Sequence, residues 1–330
     1  MKINNRGFAF STMLYGVLSI IVLVLMLVFG MMQYYKNEND YYSSEIELTL
    51  NECVFEEVAL ENCYSANATC DPTSYYACMG INGNDLAKGY LASVVLKEKV
   101  VTLGDGLYVD KVEPKRYVFS GENVNNYIRY ANRDWRIVAI EADGSLKVVF
   151  PGFTDKLSWD VLGNDEWSSC SLNNYLANTF YTTLPDTSGF VRRSWYTGRL
   201  YNTGLLDTVD VIEQERLAEY SGETEYAGMI GLLSASDYVR ASLNENCRSD
   251  VMSTTSCSSW LSKYESWLIS SDGDENDATK YKAYYFGANN NYLSTGLVKD
   301  ELSVLPTAYL KRTITIIGGN GTSSDPYIAG

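Results

Sequence analysis

Hydropathy along the chain is dominated by one uninterrupted apolar stretch near its start. Residues 8–32 (FAFSTMLYGVLSIIVLVLMLVFGMM) carry no charge over 25 positions. As a helix this stretch would reach roughly 37 Å, enough for a hydrocarbon core of about 30 Å. It is apolar on every face, unlike an amphipathic core helix, and it is longer than the apolar region of a secretory signal, with no A-x-A site after it. Lys2 and Arg6 precede it and the next base is Lys36. The positive-inside rule therefore predicts a short cytoplasmic leader (1–7), a transmembrane helix (8–32) and an exported remainder.

Residues 33–62 turn polar and acidic. Ile46, Leu48, Leu50, Val54, Val58 and Leu60 form a stripe of partly helical period, which predicts a helical stalk continuing the membrane segment. Residues 63–85 read as a Cys-rich neck. From residue 86 the texture changes to short runs of strand character separated by turns. Strands are expected at 93–96, 100–103, 116–121, 127–130, 228–233, 308–310 and 313–317. A hairpin is expected where 135–141 and 145–150 flank Asp143-Gly144. Leu172, Tyr175, Leu176 and Phe180 fall at helical spacing within 171–184, with Ser169 as the expected N-cap. A second short helix is expected at 209–219, and a helical turn opening at Ser234. The domain over 86–330 is thus expected to be α+β, with many short strands.

Composition narrows the chemistry. The chain holds 26 Lys and Arg against 41 Asp and Glu, a net charge of -15, and no histidine. A phosphate backbone would be repelled, so no nucleic-acid partner is expected. Histidine-based triads, zinc sites and general bases are excluded outright. Seven cysteines are present. Cys53, Cys63, Cys70 and Cys78 allow three pairings in an exported segment, and the residues do not choose among them. Cys247 and Cys257 enclose nine residues and are the first candidates for a disulfide clasp. Cys170 stands apart.

Other candidate sites are thin. Asp272, Asp274 and Asn276 match the first three ligand positions of a calcium loop, but Asp277 replaces the glycine and Ala283 the bidentate glutamate. The segment reads as a solvated acidic loop, so no metal and no cofactor are expected. Asn164-Asp165-Glu166 is weaker still. Asp134, Glu141 and Asp143 cluster around the hairpin turn, where charges are ordinarily solvated, and Ser234-Ala-Ser236 suits a helix cap better than a nucleophile. Twenty-seven tyrosines and six tryptophans suit contact surfaces. Trp159, Trp167, Trp195, Trp260 and Trp267 fall in or beside loop-rich parts.

Two resemblances add to this reading. Asn5-Arg6-Gly7-Phe8 with the apolar run behind it resembles the leader of type IV prepilin-like proteins. That implies peptidase cleavage between Gly7 and Phe8, and an apolar helix that packs in a pilus or stays in the membrane. Thr12 stands where that family usually has Glu, and a plain signal anchor is the alternative. Downstream, Gly104-Asp-Gly-Leu-Tyr108, Arg116-Tyr-Val-Phe-Ser-Gly121, Trp135-Arg-Ile-Val138, Ile230-Gly-Leu-Leu-Ser-Ala-Ser-Asp-Tyr238, Cys257-Ser-Ser-Trp260 and Ile317-Gly-Gly-Asn-Gly-Thr322 occur in order. The set resembles an uncharacterised domain of predicted Firmicutes surface proteins, and at a distance is similar to C-type-lectin-like domains. The resemblance implies a lectin-like mixed fold behind a long pilin-like helix, with core positions for Trp135, Trp167 and Trp260. It also implies a non-enzymatic cell-surface binding or adhesion module, as a minor pilin or pseudopilin. The alternative is a structural component of a type IV pilus or type II secretion-like apparatus. The expected partners are the lipid bilayer through 8–32, pilus or secretion subunits, and a glycan or host surface protein. Sequencing of the mature N-terminus is expected to begin at Phe8; an intact Met1 would leave a simple signal anchor.

Overall fold

The computed structural model describes residues 90–201, 208–216, 225–244, 247, 257–273, 280–287 and 293–330, all within one unit, Gly83–Gly330. The leader, apolar segment, stalk and neck, including Gly7, Phe8, Cys53, Cys63, Cys70 and Cys78, lie outside the described residues.

Short strands dominate. The first part of the domain holds β1 (Tyr90–Leu91), helix α1 (Ala92–Lys97), β2 (Gly106–Val109), β3 (Tyr117–Ser120), β4 (Tyr127–Tyr130), β5 (Arg133–Ile140) and β6 (Leu146–Val149). After β7 (Lys156–Ser158) come α2 (Ser171–Tyr175), β8 (Arg193–Tyr196), α3 (Thr208–Arg216), β9 (Glu225–Gly228), β10 (Ile230–Gly231) and α4 (Ala235–Arg240). The last part is β11 (Ser266–Ser271), β12 (Lys282–Phe286), β13 (Leu293–Leu297), β14 (Glu301–Ser303), β15 (Thr307–Leu310), β16 (Thr315–Gly318) and β17 (Tyr327–Ala329). Ten strands form one sheet in the order β1-β16-β17-β4-β5-β6-β15-β10, with β3 joining β5 and β2 joining β3. Every pairing in it is antiparallel except β17 against β4.

This corrects the expected fold class. The described domain is mostly β, with four short helices, and the longest of them, α3, has nine residues. Among the described residues no helix is long and apolar enough to cross a membrane; the long N-terminal helix expected over 8–32 and its stalk lie outside the described residues. The physical reason is visible in the segments themselves. The helical period at 171–184 extends over one α turn, a wide π turn at Leu176–Phe180 and a tight 3-10 turn at Tyr181–Thr183. The alternating runs around it are what close into the large sheet. One strand expectation fails in the other direction. Residues 93–96 lie in α1, where packing of Ala92, Val94 and Leu96 into the core overrides the β preference of adjacent valines. The hairpin forms as expected, β5 against β6, with Gly144 at φ 83°.

The core is built on tryptophan. All six indoles, Trp135, Trp159, Trp167, Trp195, Trp260 and Trp267, are no more than 2% exposed. Five of them donate Nε1–H to a backbone carbonyl: to Tyr130 at 3.2 Å, Leu268 at 3.0 Å, Gly228 at 3.1 Å, Phe119 at 3.0 Å and Leu157 at 2.9 Å, for Trp135, Trp159, Trp195, Trp260 and Trp267 respectively. A ring so held fills the interior and also ties down a strand by its polar edge, since all five carbonyls belong to strands. Trp159, Trp195 and Trp267 are therefore not a contact surface, which corrects that expectation.

The glycine-rich tail is a turn between β16 and β17. Gly319 has φ 86°, and a Cβ there would lie 2.0 Å from the Pro326 carbonyl oxygen. Its neighbour Gly318 has open space and an ordinary φ. Gly319→Ala is expected to cost about 2 kcal/mol or more in chemical denaturation, and Gly318→Ala to stay within about 0.5 kcal/mol. Equal effects would mean that this turn is not constrained as described.

Candidate functional site

Ser234 begins the site. It ends the strand-like run before α4 and caps that helix. Its Oγ accepts from Asp237 N at 3.3 Å, while its own N–H donates to Asp237 Oδ2 at 3.0 Å, a reciprocal capping box. The cap turns the Asp237 carboxylate inward, where Oδ1 accepts from Arg116 Nη2 at 2.9 Å and Oδ2 from Lys147 Nζ at 2.5 Å. Arg116 continues the network through Nη1 to Asp110 Oδ2 at 3.2 Å and Nε to Glu141 Oε2 at 3.1 Å. Asp110 Oδ1 accepts from the Val112 and Glu113 amides, fixing the turn between β2 and β3. Glu113 takes Arg216 Nη2 on one oxygen at 2.8 Å and Arg240 Nη2 on the other at 2.5 Å. Arg240 Nε lies 2.8 Å from Asp110 Oδ2, but its N–H is not aimed at that oxygen.

Four cations (Arg116, Lys147, Arg216, Arg240) thus meet four carboxylates (Asp110, Glu113, Glu141, Asp237). Burial alone would raise the Asp237 carboxyl, but Lys147 and Arg116 hold it well below the usual carboxylate range. Burial likewise pulls Lys147 and Arg116 down, and the facing acids more than offset it. At Glu113 the cost of burial is overcome by Arg240 and Arg216, and its carboxyl is lowered. A fifth acid is different. Glu215, 2% exposed on α3, has no ion pair among the described residues; its oxygens accept from Ser236 N at 2.9 Å and Ser236 Oγ at 2.6 Å. Burial pushes its carboxyl up. Tyr309 and Trp195 line the same interior, and burial pushes the Tyr309 phenol up to about 12.

The cavity inside this network measures about 50 Å³, room for a few waters and no substrate. A larger cleft of about 320 Å³ opens beside it, between β2, β3 and the C-terminal end of α4. Val109, Val112, Val118, Val239 and Leu243 supply apolar walls, and Asp110 and Arg240 form a floor shared with the network. Val109 and Leu243 are 44% and 42% exposed. Cys247, joined to Cys257 in a disulfide, borders the cleft.

The remaining sequence candidates are scattered. Asp134, Asp143 and Glu141 do not converge: they pair separately with Arg129 at 2.7 Å, Arg193 at 2.7 Å and Arg116 at 3.1 Å. Asp165 and Glu166 both take Arg199. Asp272 is buried and its amide bonds the Lys282 carbonyl; Asp274 and Asn276 lie outside the described residues. Among the described residues no group of three His, Cys, Asp or Glu side chains could hold a metal ion. Cys170, not Ser169, caps α2: its sulfur accepts from Asn173 N at 3.4 Å, and burial pushes the thiol up to about 12, so it stays protonated. The network is not legible in the sequence because its members lie up to 130 residues apart, as Asp110 and Arg240 do. Its signal is a charge inside an otherwise apolar strand, as in Leu146-Lys147-Val148-Val149, all four buried.

Scans of this chain against protein-family models, curated proteins and solved structures return no match.

Glu215 offers a test of the electrostatics. A carboxyl raised on folding contributes stability that is full below its unfolded pKa and declines as pH rises toward its folded one. Glu215→Gln keeps the acceptor and lets the Ser236 hydroxyl accept from the amide. The variant is expected to be more stable than the parent near pH 7 by about 1 kcal/mol, with the gap closing below about pH 4. A variant less stable at every pH would mean that the site requires the anion.

Proposed function

We propose that the chain is a membrane-anchored cell-surface module that binds rather than catalyses, with the cleft between β2, β3 and α4 as its contact surface. The observation that carries this reading is the division of labour between cleft and floor. Each acid beneath the cleft is engaged, four with cations and Glu215 with Ser236. The lining above the floor is aliphatic wall from Val109, Val112 and Leu243, with Tyr108, Lys111, Ser242 and Asn244 among its polar members. A volume of about 320 Å³ is at the lower end for a small-ligand site, and it also suits one anchoring side chain or sugar of a larger partner. Nothing in that lining is arranged as an acid–base pair or an activated nucleophile.

The anchor is the apolar segment 8–32, with Lys2 and Arg6 holding the leader inside and the domain outside. The partners proposed are accordingly the bilayer through that segment and a glycan or a host surface protein at the cleft. Acidity disfavours nucleic acid. A second reading, a minor pilin, pseudopilin or other structural subunit of a pilus or secretion-like apparatus, is favoured by one observation, Gly7-Phe8 at the head of the apolar run.

The test is a glycan and host-protein binding screen with the detergent-solubilised full chain, repeated with Leu243→Asp. Leu243 is exposed at the cleft edge, so its change is expected to weaken binding at least about tenfold, with melting little altered. Ligands that bind the variant equally well would move the contact surface elsewhere. No ligand in either panel would favour the structural-subunit reading.

A further inference from the structure

Lys147 and Asp237 form one of the two closest opposite-charge contacts in the network, and the better shielded of those two. Their side chains are 7% and 1% exposed, with Nζ 2.5 Å from Oδ2. Lys147 reaches across from β6, and Asp237 sits in the first turn of α4, 90 residues later. The rings of Trp195 and Tyr309 stand together against one side of the ammonium, each centroid 5.5 Å from Nζ and 4.9 Å from the other. The other carboxylate oxygen, Oδ1, is held by Arg116 Nη2 at 2.9 Å. A nucleophile, an acyl carbon and a donor for the acyl oxygen are therefore fixed together where bulk water does not reach.

We propose that Lys147 and Asp237 condense to an intramolecular amide, so that the mature domain carries a covalent side-chain cross-link between β6 and α4. The step begins with transfer of one proton along the Nζ–Oδ2 contact, which converts ammonium and carboxylate into amine and acid. The Nζ lone pair then adds to Cγ. Charge develops on Oδ1, where the Arg116 guanidinium already donates, the arrangement an acyl-transfer oxyanion requires. Collapse breaks the Cγ–Oδ2 bond. Oδ2 leaves as water, carrying the proton it received and a second one lost from Nζ, while the third stays on the amide nitrogen. Ammonium plus carboxylate thus give amide plus water, with no oxidant, reductant or added reagent.

Three physical terms favour this outcome. Groups held in contact react as though at effective concentrations of about 10⁵ M or more. The cavity of about 50 Å³ beside them leaves little water to reverse the reaction. The amide also removes two buried charges at once, one of each sign, so the net charge of the network is unchanged, and Arg116, which loses the Asp237 anion, keeps Asp110 and Glu141. The ionised pair is the resting state, which slows the step. A cross-link made once per molecule tolerates a slow step. Its consequence would be a tie closing a long loop of chain and fastening α4 to the sheet, which restricts the unfolded ensemble.

The experiment is tryptic peptide mapping by mass spectrometry of the full chain, denatured and with its disulfides reduced. The expected result is a branched peptide joining the Lys147 and Asp237 segments, lighter by one water than their sum, with no cleavage after Lys147. The Lys147→Arg variant, which keeps the positive charge but lacks the amine, is expected to give linear peptides of full mass. Linear, full-mass peptides from the unaltered chain would overturn the proposal, whether or not the variant folds. So would a water loss shared by both chains, which would place it at an Asp-Gly step such as Asp143-Gly144.

Discussion

Asp237 enters the fold as a carboxylate that water cannot reach, and much of the domain is arranged around meeting that requirement. An unpaired ion at such a position would cost several kcal/mol. It is met by a strand lysine, a turn arginine and the cap of its own helix. Each partner then brings a requirement of its own. Arg116 needs Asp110 and Glu141, and Asp110 in turn shapes the turn that presents Glu113 to Arg216 and Arg240. The result is a polar interior linking β3, β6, α3 and α4. Such a network adds little net stability over an apolar core of equal volume, but the loss of any one member leaves its partners uncompensated. Its value lies in fixing geometry.

That geometry sets the form of the cleft. α4 is held at its N-terminal turn by the capping box and by Asp237. Its C-terminal end carries Arg240 into the floor and leads to Leu243 on the wall. The β2–β3 turn opposite is held by Asp110. Two rigid walls of aliphatic residues over a committed ionic floor make a surface suited to recognition at low conformational cost. The disulfide at Cys247 closes the same end.

Local elements were legible in the sequence where one physical signal acted alone. The Asp-Gly turn between alternating apolar runs gave the β5–β6 hairpin, and Ser234 with Asp237 three residues on marked a helix start. The nine-residue spacing of Cys247 and Cys257 singled out the pair that is bonded. Signals that compete were read less well. Val94 and Val95 favour a strand, yet their neighbours' burial makes a helix. Tryptophans near loops look like surface chemistry, yet their indole N–H groups reach strand carbonyls from inside. The ten-stranded sheet and the ion network depend on pairings between distant segments, such as Tyr90 with Ile316 or Arg240 with Glu113. No local window contains those pairings, so a class with more helix was expected than the described residues form.

The central claim is that the ion network makes α4 part of the same cooperative unit as the sheet. Native-state hydrogen exchange addresses it directly. The amides of Ser234, Ser236 and Ala241, bonded within the capped helix and to Glu215, should exchange as slowly as those of the β5–β6 core. They should exchange only through global unfolding. If those helix amides exchange through a much less costly local opening while Ile137 and Val148 remain protected, the network does not hold the domain together, and the account of the cleft built on it is wrong.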